Sequence, residues 1–212
     1  MRTKNLKIEL PKGERYKYET AEMMPNLCTQ LLCVGAKGMG KTIAIVNLVK
    51  KLNFDNIRVE KVDVRNLSYK DNSFDIVHVY GILHHIIEVN DAVKEILRVL
   101  KPGGSMYAMF YNKNSLLYYH SIMYLRGVVE GEFEKGLTEE DLMSKYSEAK
   151  FGCPYTKIYT EDEVKELCKL TGFRQIETHI DAPHIDTLET RKVEISNLPK
   201  NMGWHITVKA MK

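Results

Sequence analysis

Short apolar runs alternate along the chain with stretches of helical period, and glycine- or proline-bearing turns separate them. Residues 30–34, QLLCV, run into Gly35 in the pattern of a buried strand. In 41–52, KTIAIVNLVKKL, the residues Ile45, Leu48, Val49 and Leu52 fall on one helical face. Residues 57–62 and 74–80 (FDIVHVY) are two further strand candidates, and 68–73 (SYKDNS) is turn chemistry between them. Asn90 or Asp91 caps the next helix, AVKEILRVL, which turns Val93, Ile96, Leu97 and Leu100 inward and stops at Lys101-Pro102-Gly103-Gly104. Residues 105–111 read as a strand. Thr160 with Glu163 forms a capping box ahead of VKELCKL, and Gly172 closes that helix. Residues 173–180 and 204–210 are the last strands, the final one turning His205, Thr207 and Lys209 outward.

Strands alternating with helices imply βαβ units and a mainly parallel sheet, hence an α/β fold. The two closing strands have no helix between them, which predicts an antiparallel edge. The stretch 112–159 interrupts the pattern with a helix of its own, NSLLYYHSIMYLRGVV. It is too long for a connection and reads as a lid or substrate-side insertion. The expected organisation is an irregular arm at 1–26 and one domain at 27–212, opening on a βα unit at 27–56.

Composition narrows the partners. The chain has 212 residues and a net charge of +3, and its isoelectric point of about 8.5 is too weakly basic to indicate a nucleic-acid partner. Cys28, Cys33, Cys153 and Cys168 include no CxxC pair, which points to reduced thiols rather than a disulfide framework or zinc site. The first residues carry no apolar targeting core, and no run approaches the roughly 18 apolar residues of a membrane span. A cytoplasmic protein acting on a small molecule is the expectation, with the oligomeric state open.

Chemistry concentrates at Gly35-Ala36-Lys37-Gly38-Met39-Gly40-Lys41-Thr42, which satisfies GxxxxGK[ST] between a strand and a helix. Glycines let backbone N–H groups converge on an anion at a helix N-terminus. Lys41 then reaches outer phosphates and the Thr42 hydroxyl holds Mg²⁺, as Mg-ATP binding requires. A tight βα connection is the plainer alternative. Residues 24–56 resemble the P-loop of viral DNA-packaging-type ATPases. The second acid that such enzymes need has one weak candidate, Asp63 after Val62.

A different resemblance begins at about residue 59. Its pieces are Val62-Asp63-Val64-Arg65-Asn66-Leu67, Asp71-Asn72-Ser73-Phe74-Asp75, Gly81-Ile82-Leu83-His84-His85 and Glu95-Ile96-Leu97-Arg98-Val99-Leu100-Lys101-Pro102-Gly103-Gly104. In that order and spacing they resemble a class I S-adenosylmethionine-dependent methyltransferase of the methyltransferase type 11 sort, through to the closing strand. The resemblance implies a Rossmann-like three-layer sandwich with an antiparallel last strand. It places Gly35, Gly38 and Gly40 under the methionine part of S-adenosylmethionine, Asp63 with Val64 at the adenine, and Tyr80 with Gly81 along the pocket.

Two departures stand out. Cys33 replaces the acid expected before the glycines, and only 22 residues separate Gly40 from Asp63, room for one helix and one strand. One βα unit is therefore missing. A strand joined by a single helix lands beside the first, so 57–62 is expected in the second-strand slot, with Asp63 bonding the ribose instead of the adenine. On the acceptor side the candidates are His85, Tyr111 and His120. The adjacent pair His84-His85 lacks a third metal ligand and is expected to open a helix at the pocket rim. Tyr118, Tyr119, Ile122, Met123 and Leu125 give the insertion an aromatic-apolar helix, while Glu139, Glu140 and Asp141 mark a solvated helix start. Three functions stay open: small-molecule methyl transfer, a nucleotide-binding module built on Lys41 and Thr42, and a non-catalytic remnant.

Overall fold

A computed structural model of the chain describes residues 31–34, 62–147, 155–185, 193–194, 197 and 199–212. The arm at 1–26, the glycine loop with Lys41 and Thr42, and the helix at 41–52 lie outside these residues. So does nearly all of the strand expected at 57–62; Val62 itself is not in a strand. In chain order the described elements are β1 (Leu31–Val34), β2 (Phe74–Val79), α1 (Val89–Val99), β3 (Leu100–Asn112), a π-helix (Leu117–Val129) and α2 (Glu139–Tyr146). They continue with β4 (Ile158–Tyr159), α3 (Glu161–Thr171), β5 (Arg174–Asp181), β6 (His184–Ile185), β7 (Val193–Glu194) and β8 (His205–Met211).

The main sheet has the order β1-β2-β3-β8-β5, with β4 paired in parallel to the end of β3. Strands β1, β2 and β3 run parallel, and β8 is antiparallel to both β3 and β5. The closing strand is thus interior, and β5 forms the edge that the sequence pattern assigned to the pair. Between them β6 and β7 make a separate two-stranded ribbon.

Alternation along β3 divides the core into two. Met106, Ala108 and Phe110 join Val77, Val79, Ile206 and Val208 beneath α1 and α3, whereas Met109 and Tyr111 face Trp204, Leu117, Tyr118, Ile122, Leu142 and Met143. The insertion therefore covers the second face with two helices. Tyr118 and Ile122 pack inward and Tyr119 stays half exposed.

Helix α1 buries Ala92, Val93, Ile96 and Val99 at the spacing of one helical face. Its N-cap is Glu88, with no side-chain cap bond, so neither Asn90 nor Asp91 caps it; Leu100 belongs to β3. Opposite Phe74 stands Leu100, but opposite Ile76 stands Ser105, so residues 101–104 loop out of the pairing. Gly103, at φ +78°, makes that excursion possible. Helix α3 carries the expected capping box of Thr160 and Glu163 and ends on Gly172 at φ +112°. A second box, Thr138 with Asp141, starts α2 with Glu139 and Glu140 in its first turn.

Candidate active site

Strands β1, β2, β3 and β5 direct their carboxyl ends to one edge of the sheet, and β8 begins there. Ligands of open α/β sheets bind in the crevice outside such an edge. Val34, the last residue of β1, pairs with Val79, the residue before Tyr80 and Gly81. The Tyr80 ring stacks on His78 at 5.4 Å and 9°. Burial holds the His78 imidazole below its ordinary pKa. Gly81 adopts φ +75°, a left-handed turn that lifts the chain off the sheet into one 3₁₀ turn, Leu83–His85. The expected helix at His84-His85 is no more than this turn.

Asp63 and Val64 lie in a tight turn in which the Asn66 N–H donates to the Asp63 carbonyl at 3.0 Å. Val64 and Leu67 anchor the turn in the core. The Asp63 carboxylate accepts the Arg65 backbone N–H at 3.0 Å, Nε at 3.0 Å and Nη2 at 2.7 Å. Those bonds lower its pKa to about 2. Arg65 Nη1 also donates to Glu88 at 2.8 Å, which joins the turn to the start of α1.

Beyond β2 the edge is aromatic. The Tyr111 ring is held between His84, 3.9 Å away at 28°, and Trp204, 4.3 Å away at 22°. All three are at most 5% exposed, which makes this a rigid wall. Asn112, fully buried, fixes the Trp204 side: its Nδ2 donates to the carbonyls of Asn201 (2.9 Å) and Gly203 (2.7 Å), and its backbone N–H to that of Trp204 (2.8 Å). His85 Nδ1 donates to the Tyr155 carbonyl at 3.0 Å, and its ring stands edge-on to Tyr111 at 6.2 Å. Tyr118 donates to Glu139 at 2.6 Å, and burial raises its phenol pKa.

Of the acceptor-side candidates, His85 and Tyr111 thus come together, and His120 does not join them: its ring lies 6.2 Å from Tyr124, further along the π-helix. Sequence reading missed Arg65, Asp181 and the role of Trp204 and His205. The antiparallel register brings in Asp181 and His205, because it sets Tyr111 opposite His205 and His205 opposite Asp181; Trp204 follows as the residue before His205. Among the described residues, no group of three His, Cys, Asp or Glu side chains is placed to hold a metal, and no helix is long and apolar enough to cross a membrane.

Residues 21–108 match the family described as a methyltransferase domain, a stretch that runs through the glycine loop, the Asp63 turn, β2 and α1. That stretch, about two fifths of the chain, is similar to a methyltransferase domain. The fold of the chain is that of solved S-adenosylmethionine-dependent methyltransferases. The one from Methanosarcina mazei matches at a TM-score of 0.52 with 17% identity, over 91% of this chain and 96% of that one. The one from Archaeoglobus fulgidus matches at 0.52 with 12% identity, over 88% and 87%. In sequence the chain is 29% identical to the demethylmenaquinone methyltransferase of Staphylococcus carnosus, over 60% of this chain and 52% of that protein. To the ubiquinone/menaquinone biosynthesis C-methyltransferase UbiE of Azotobacter vinelandii it is 35% identical over 60 residues, 28% and 24% of the two chains. The chain thus spans about half, or less, of the length of these curated relatives. The likeness of 24–56 to an ATPase P-loop is not carried by any of them, and the same residues fall within the methyltransferase match.

The described residues fit the family's cofactor, S-adenosylmethionine. A carboxylate offers about four lone-pair directions. Arg65 bonds both Asp63 oxygens, Oδ1 through its backbone N–H and Nε, and Oδ2 through Nη2 and a longer Nε bond of 3.3 Å; the side chain remains 49% exposed, so a polar group of a nucleoside would replace that longer bond. The left-handed Gly81 keeps a side chain away from the end of β2.

Proposed function

We propose that the protein transfers a methyl group from S-adenosylmethionine to a small aromatic molecule of the quinone or quinol class. The observation that carries this reading is the layout of the carboxyl edge. The β1–β2 end carries Tyr80 and the left-handed Gly81, and the β3–β8 end holds the His84–Tyr111–Trp204 wall under a helical insertion. Two curated relatives named for demethylmenaquinone and ubiquinone/menaquinone chemistry support the acceptor class.

When bound, the cofactor supplies an electrophilic methyl group on a sulfonium, so the protein's task is alignment and exclusion of water. In this reading Gly35, Gly38 and Gly40 would hold its methionine part, Asp63 with Val64 its nucleoside, and Tyr80 with Gly81 would line the pocket. Tyr111 stands at the acceptor end, kept immobile by its two stacked neighbours. His85, oriented through Tyr155, borders the same end. The π-helix and α2 close over Met109 and Tyr111.

Calorimetric titration with S-adenosylhomocysteine and, separately, with Mg-ATP tests the reading. The expected result is saturable binding of S-adenosylhomocysteine, no binding of Mg-ATP, and transfer of labelled methyl to 1,4-dihydroxynaphthalene. Binding of Mg-ATP alone, lost on Lys41→Ala, would replace it with a nucleotide-binding module. Binding of neither ligand would leave a non-catalytic remnant.

A further inference from the structure

Asp181, His205 and Tyr111 stand in one row across β5, β8 and β3, on the sheet face that the insertion covers. The His205 Nδ1 is 3.4 Å from Asp181 Oδ1, and its ring lies nearly parallel to Tyr111, 16° apart with centroids 6.0 Å away. A carboxylate at Nδ1 selects the tautomer that carries its proton there and leaves Nε2 as the accepting nitrogen. The pair is not sealed in the core: the His205 side chain is 22% exposed and that of Asp181 39%. Two strand spacings, roughly 10 Å, separate β8 from the end of β2 at Tyr80 and Gly81. A small aromatic molecule spans that gap.

We propose that His205, oriented by Asp181, takes the hydroxyl proton of a phenolic methyl acceptor. The assignment rests on the methyl-transfer reading above. The O–H bond breaks, its electron pair stays on the acceptor oxygen and spreads into the ring, and the proton forms a bond to Nε2. Asp181 balances the imidazolium that results, and solvent then removes the proton. Such activation is needed because a neutral phenol is a weak nucleophile. His85 faces a neutral carbonyl at Nδ1, which does not balance an imidazolium as the Asp181 carboxylate does. Asp181 and Tyr111 are the titratable groups that the register sets directly against His205.

Trp204 is the chain's single tryptophan, adjacent to His205 and stacked on Tyr111, so its emission reports an aromatic ligand docked there. The test is fluorescence titration with 1-naphthol and with 1-methoxynaphthalene, which keeps the ring but has no hydroxyl proton. Wild type is expected to bind the naphthol about tenfold tighter, as one hydrogen bond to an oriented imidazole allows. His205→Ala binds the two probes alike, and Asp181→Asn shrinks the preference. His205→Gln, a hydrogen-bonding group without a base, keeps part of the preference and loses methylation of 1,4-dihydroxynaphthalene. An undiminished tenfold preference in His205→Ala, or no preference in wild type, overturns the proposal. S-adenosylhomocysteine calorimetry on the same samples verifies that the variants are folded. Its failure in wild type overturns the methyl-transfer reading alone, because the naphthol comparison needs no cofactor.

Discussion

Arg98 Nη2 donates to the Leu67 carbonyl at 2.8 Å, while the Leu67 N–H donates to Glu95 Oε2 at 2.9 Å, so two side chains of α1 serve both backbone polar groups of one loop residue. Arg98 also reaches the Tyr69 carbonyl and Asp71, and pairs with Glu95. The segment that carries Asp63 and Val64 is therefore held on α1 by Arg98 together with Glu95, and at the helix start by the Arg65–Glu88 pair. Arg98→Ala is expected to lose roughly 1–3 kcal/mol, as for hydrogen bonds to a charged group in a partly buried site. In a chain of this size the melting temperature then falls by about 2–4 °C for each kcal/mol. A differential scan measures that loss, and S-adenosylhomocysteine calorimetry should find weaker binding because the Asp63 turn is loosened. Arg98→Lys recovers little of either, because an ammonium cannot span the four acceptor groups in fork geometry.

Asn112 makes the second test. Its amide donates to two carbonyls on the approach to Trp204, and its Oδ1 accepts the Asn114 N–H at 2.9 Å. Asn112→Asp sets a carboxylate against the carbonyls of Asn201 and Gly203, a buried like-dipole contact. The variant is expected to lose about 1–3 kcal/mol or more. Trp204 should emit at longer wavelength as its stack on Tyr111 opens to water, while Asn112→Ser, which keeps one donor, shifts less.

How far the fold is legible from sequence depends on whether the decisive partner is local. The helix of 161–171 is written in its own residues, a Thr160–Glu163 box at one end and Gly172 at the other, and both take their expected roles. The start of α1 is not. Asn90 and Asp91 have capping side chains, yet the helix begins a turn earlier, because Val89 is buried and Arg65 holds Glu88. The same holds at the edge of the sheet. Tyr111 was recognisable as an aromatic at a strand end, whereas its contacts with His84 and Trp204 depend on residues 27 and 93 positions away. Nothing in the 204–210 alternation announces that this strand slots between β3 and β5. Only that placement brings Asp181 to His205.

Asp63 predicts an acid-limb effect. Arg65 bonds its carboxylate and lowers the pKa from 3.8 to about 2, so the folded state favours the ionised form. The stabilisation is complete above about pH 4 and disappears as pH falls towards 2, where the folded carboxylate too is protonated. Both groups face solvent, so the effect is small and weakens with salt. Melting temperature followed from pH 5 to pH 2 at low ionic strength checks it. Asp63→Asn should melt with a shallower dependence over that window and no difference in slope above pH 5. Arg65→Ala should flatten the same limb, since the partner that lowers the pKa is gone.

Gly203 separates close approach from backbone freedom. A Cβ built there lies 2.1 Å from the Asp181 carbonyl oxygen and 2.8 Å from its carbonyl carbon, a clash with backbone that no rotamer relieves. The φ of Gly203 is −66°, open to any residue, so the requirement is space alone. Gly203→Ala must push the end of β5 away from the start of β8, parting Asp181 from His205 and disturbing the Asn112 bond to the Gly203 carbonyl. A loss of about 1–3 kcal/mol is expected from the overpacking, together with a red-shifted Trp204 and a reduced preference for 1-naphthol. Gly103→Ala is the matched comparison. Its φ of +78° strains any side chain, but nothing lies within 4 Å of its Cβ. That variant should lose about 1–2 kcal/mol from the left-handed conformation while Trp204 emission and naphthol binding stay at wild-type values. Equal spectra for the two variants would show that the β5–β8 contact does not position the His205 pair.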